Sequence, residues 1–64
     1  MGDYEVVERI VKAMRIRHDI QGYTIGEHTF RHIVGAFMEA TQCDYEDAVK
    51  RVANILHEMG YNVA

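Results

Sequence analysis

The sequence predicts an all-α fold: a compact three-helix domain with helices over about residues 3–17, 24–42 and 44–59, expected to self-associate. Three observations predict it. Apolar residues recur at helical spacing in three segments. A hydroxyl or carboxylate residue heads each segment, where unpaired backbone amides need an acceptor. The chain contains no proline, and Gly22 and Gly60 fall where the first and third helices should already have ended.

Helix 1 is expected to open at Asp3, whose carboxylate can cap the first turn. Glu5 near the start and Arg15, Arg17 and His18 near the end complement the helix dipole. Glu5–Arg9 and Glu8–Lys12 are acid-first pairs four residues apart. Val6, Val7, Ile10, Val11, Ala13 and Met14 share one face, with Tyr4 at its edge. Several of these are β-branched and weak helix formers, so packing must hold the segment. Gln21-Gly22-Tyr23 reads as a turn in which Gly22 can take positive φ, and Ile20 should tuck beneath it.

Helix 2 is expected to start at Thr24, because Thr24-Ile25-Gly26-Glu27 has the spacing of a capping box. Phe30, Ile33, Val34, Ala36, Phe37, Met38, Ala40 and Thr41 fall on one side, and His28, Arg31, His32, Gly35, Glu39 and Gln42 on the other. Helix 3 follows a short connection at Cys43. Asp44 caps it, Glu46–Lys50 and Asp47–Arg51 repeat the acid-first spacing, and Tyr45, Ala48, Val49, Val52, Ala53, Ile55, Leu56 and Met59 form its apolar face. Gly60 is placed to end it in the left-handed conformation, with Tyr61 folding back on Leu56 as in a Schellman cap. Residues 62–64 are too few to assign.

Sixty-four residues allow one domain, residues 1–64. A chain of this length buries only about 60% of its unfolded surface, so small domains lean on disulfides, metals or partners. Cys43 is the only cysteine, which excludes an internal disulfide and fits a reducing, cytoplasmic setting. The N-terminal stretch is acidic and unlike a signal peptide, and no run is apolar enough for a membrane span. At 48% the hydrophobic fraction is too high for a disordered chain.

The apolar arcs point to a partner. A surface helix hides a stripe a little over 100° wide, whereas helices 1 and 2 show about 180° and 200° on the same construction. Either helix 2 lies centrally in a monomer, clasped by both others, or an apolar strip is left over; a two-fold homodimer is the expected outcome, with its interface on Val6, Val7, Phe30, Val34, Phe37 and Met38. Gly35, inside helix 2 and on its polar side, costs about 1 kcal/mol relative to alanine. Close approach of another backbone would account for it, and simple tolerance at an exposed position is the plain alternative.

Enzyme chemistry is not expected. The chain has no serine, no glycine-rich phosphate loop, and a Cys43 better suited to burial than to catalysis. No cofactor is assigned. His28 and His32, four apart on one helix face, are weak metal candidates: a third ligand would have to come from another element, such as His57 or Glu58, or from a second copy, and the metalloprotease pattern is absent because Thr29 stands where its general-base glutamate belongs. The expected function is therefore a non-enzymatic helical interaction or regulatory protein, acting on itself or on another protein. The alternative is a helix-turn-helix-like regulator reading DNA with helix 2 (24–42), through Arg31 and His32, with Lys12, Arg15 and Arg17 on phosphates. A net charge of −3 weighs against nucleic acid, and Asp44, Glu46 and Asp47 at the start of helix 3 exclude that helix as the reader.

Overall fold

The computed structural model describes residues 2–64, Met1 lying outside them. Three helices carry the fold: α1 (Asp3–Ala13), α2 (Glu27–Thr41) and α3 (Tyr45–Glu58). Two short strands join them: β1 (Thr24–Ile25) precedes α2, and β2 (Asn62–Val63) follows α3. The strands pair in parallel, Thr24 with Asn62 and Ile25 with Val63. No helix among the described residues is long and apolar enough to cross a membrane.

α1 ends earlier than its periodicity predicts. Arg15 takes φ 57° and closes the helix, its amide reaching the Lys12 carbonyl at 3.1 Å and that of Ile16 reaching Val11 at 3.2 Å. This is a Schellman cap with arginine where glycine usually stands. Packing explains it. Ile16 lies nine residues after Val7, so a continuing helix would point it away from the core. The left-handed turn swings Ile16 back against the buried cluster. Asp3, expected as the cap, is instead the first helical residue, and its carboxylate meets Arg51 of α3 at 3.3 Å.

The capping box at Thr24 does not form. Thr24 and Ile25 are extended, Gly26 occupies the cap position without a side-chain bond, and α2 begins at Glu27. Both residues are β-branched and suit a strand. Their partner is the C-terminal tail: the amides of Asn62 and Ala64 donate to the carbonyls of Tyr23 and Ile25 at 2.9 and 3.0 Å. Ile25 thereby enters the core.

α3 follows expectation at both ends. Asp44 accepts from the Asp47 amide at 2.8 Å, and Arg51 meets Asp47 at 2.9 Å. Gly60 has φ 94°, its amide bonding to His57 and that of Tyr61 to Leu56, each at 3.0 Å.

The core consists of Val7 and Val11 from α1, Ile25 from β1, Ile33, Val34 and Phe37 from α2, Ala48, Val52, Ile55 and Leu56 from α3, and Tyr61 from the tail. α2 packs on both other helices, which also touch each other. The accessible surface is 4465 Å², near the roughly 4200 Å² of a monomeric fold of this mass. The radius of gyration, 10.6 Å, likewise matches the roughly 10.7 Å of a self-contained domain of this length. One copy therefore closes its own core with α2 clasped between the other two helices, and the wide apolar arcs do not require a partner. Ala13, Met14 and Ala40, at the edges of those arcs, face solvent, so the buried stripes are narrower than the apolar ones.

Candidate functional site

The six residues assigned to an apolar interface divide in two. Val7, Val34 and Phe37 are no more than 1% exposed and belong to the internal core. They are withdrawn as interface residues, because no partner can reach them without unfolding the domain. Val6, Phe30 and Met38 are half-buried, packed against that core with one edge outward. The most exposed large apolar side chains lie elsewhere, at Tyr4, Met14, Ile20, Tyr23 and Tyr45. Ile20 does not tuck under its loop.

The cations of the nucleic-acid reading are all at the surface, divided between two hollows. Lys12, Arg15 and Arg17 line a hollow with Ile16, His18 and Asp19. Arg31 and His32 line another, with His28, Gly35, Ala36 and Glu39, and the two hollows share no residue. Two of the five are also partnered by acids. Arg17 meets Asp19 at 3.2 Å, and Arg31 meets Glu27 at 3.1 Å. The hydrogen bond and charge of Arg17 hold the Asp19 carboxyl below its ordinary range and lift the guanidinium in return. Such exposed pairs contribute little to stability.

The outer face of α2 is the more organised surface. His28, Arg31, His32, Gly35, Ala36 and Glu39 line a shallow groove along the helix. A second hollow, lined by Gly35, Met38, Glu39, Gln42 and Cys43, continues it toward the C-terminal end. The two share Gly35 and Glu39, so one strip runs the length of α2 with Gly35 near its middle. A Cβ built at Gly35 would meet nothing within 4 Å. The strip is polarised: His28, Arg31 and His32 lie before Gly35, and Glu39 after it. Its far end is fixed by Thr41, whose hydroxyl bonds to the Phe37 carbonyl at 2.8 Å and to Cys43 Sγ at 3.1 Å.

A cleft of about 180 Å³ runs beside α1, lined by Tyr4, Glu8, Val11, Lys12, His18, Met59 and Tyr61. The Tyr61 hydroxyl is buried and has no hydrogen-bond partner among the described residues, while its ring meets Tyr23 edge-on at 6.3 Å. Burial, with Asp19 adding to it, raises the Tyr61 phenol above its ordinary pKa. The sequence gives Tyr61 a capping role but no sign of this cleft, which depends on the tail returning beside β1.

Comparison with protein-family models, curated proteins and solved structures found no match to this chain. The surface chemistry is thus the whole basis for a functional reading.

Proposed function

We propose that this chain is a non-enzymatic helical interaction module that works through protein–protein contact on the outer face of α2, with a second copy of itself as its first partner. The observation that carries the reading is Gly35. Glycine inside a helix costs about 1 kcal/mol relative to alanine. Nothing within the chain requires it, since the space above it is open. A cost without an internal return is accounted for by an external backbone that approaches closely there.

Charge order supports self-pairing. Two α2 helices crossing antiparallel at Gly35 set Arg31 of one copy opposite Glu39 of the other, because each lies four residues from the crossing point. A two-fold axis makes that contact twice. A single pair of 15-residue helices, each about 22 Å long, gives a small interface, so the association belongs to the weak, transient class. The cation hollows that share no residue and the Arg17–Asp19 pair count against duplex DNA as the ligand.

The test is solution mass by light scattering from micromolar to near-millimolar concentration. The natural chain is expected to gain mass with concentration. Gly35→Leu should remain monomeric and folded, since the added side chain meets open space. A natural chain that stays monomeric throughout, or a Gly35→Leu variant that associates equally well, overturns the proposal.

A further inference from the structure

We infer that His28 and His32 form a two-imidazole chelate for a borderline divalent transition-metal ion, with zinc as the reference case. The inference rests on side-chain geometry and stands apart from the docking reading of the same helix. The two Nε2 atoms face each other at 3.3 Å, with the ring centroids 4.7 Å apart and the rings inclined at 69°. Zinc–nitrogen bonds of about 2.0–2.1 Å in a tetrahedral arrangement separate two donor nitrogens by about 3.3–3.4 Å. The observed spacing equals the separation of two nitrogen ligands on one tetrahedral zinc ion, so a small adjustment of the rings would bring both lone pairs onto one ion. In the metal-free chain the same spacing lets one ring N–H donate to the other ring, so the two imidazoles are held together before an ion arrives.

The local structure makes the pair usable. The residues stand one helical turn apart in the first half of α2, which sets their side chains one above the other. Both are exposed, so neutral imidazole lone pairs are reachable from solvent. No group of three or more His, Cys, Asp or Glu that could hold a metal exists among the described residues. The chelate thus contributes two ligands and leaves the remaining positions to water. Imidazole donors favour zinc, copper, nickel and cobalt over magnesium and calcium, which prefer oxygen. Bridging two residues one turn apart also clamps the start of α2, so bound metal stabilises the fold by mass action.

The experiment is calorimetric titration of Zn2+ into the metal-free protein, repeated on His28→Ala, His32→Ala and, as a control, His57→Ala, with thermal melts of each with and without zinc. The natural chain and His57→Ala are expected to bind saturably and to gain Tm with zinc. His28→Ala and His32→Ala should each bind at least tenfold more weakly and lose the Tm gain, while keeping the helical signal because both positions are exposed. Mg2+ should give no heat of binding. Absence of saturable zinc binding by the natural chain overturns the inference. So does equal binding by the two histidine variants, or a loss that follows His57 instead.

Discussion

Arg15 and Tyr61 are two residues at which the fold accepts a local cost. Arg15 sits at φ 57°, where a side chain on Cβ is disfavoured and glycine is not. Arg15→Gly should therefore raise stability by about 0.5–1 kcal/mol in urea unfolding, and a loss would show that the arginine side chain does more than fill a cap. Tyr61 carries a buried hydroxyl without a partner among the described residues. Removing such a group relieves its desolvation, so Tyr61→Phe should be neutral or stabilising by up to about 1 kcal/mol. The same residue gives an alkaline signature. Because the folded state holds the Tyr61 proton more tightly than the unfolded chain, its contribution is intact below the unfolded tyrosine value of about 10 and declines as pH rises above it. Comparing melts of the natural chain and Tyr61→Phe across that range isolates this part of the decline.

At the scale of elements, the parallel pairing of β1 and β2 is the feature that local patterns conceal. Asn62 and Ala64 donate backbone bonds to Tyr23 and Ile25, and the Asn62 side chain adds one to the Gly22 carbonyl at 2.9 Å. Ending the chain after Tyr61 should cost about 2–4 kcal/mol, from three lost hydrogen bonds and the packing of Val63. A truncated chain as stable as the parent would mean that the tail is ornamental. α3 was legible in the sequence from cap to cap, because Asp44, Gly60 and Tyr61 act on neighbours a few residues away. The starts and ends that differ have distant causes. Thr24 and Ile25 are claimed by a tail nearly forty residues downstream, and α1 stops so that Ile16 can reach the core. Apolar periodicity identified Val7, Val34 and Phe37 as packing residues but could not say whether the packing was internal. The polar face of α2 was legible residue by residue, whereas the convergence of the two imidazoles became visible only with coordinates.

At the scale of the molecule, the closed core lets the proposed association on α2 be tested apart from folding. Gly35→Ala should stabilise the isolated domain by about 1 kcal/mol, measured by urea unfolding at high dilution. Charge exchange tests the antiparallel arrangement. Arg31→Glu alone places two acids opposite each other and should abolish association, and adding Glu39→Arg should restore it. Failure of the double variant to recover would rule out that register. The most direct measurement is a two-dimensional amide NMR dilution series across the whole chain. Concentration-dependent shifts should concentrate at His28, Arg31, His32, Gly35 and Glu39 and be missing in Gly35→Leu. Shifts confined to the surroundings of Tyr4, Tyr23 or Tyr45, or a spectrum unchanged by concentration, would contradict the assignment of α2 as the contact surface.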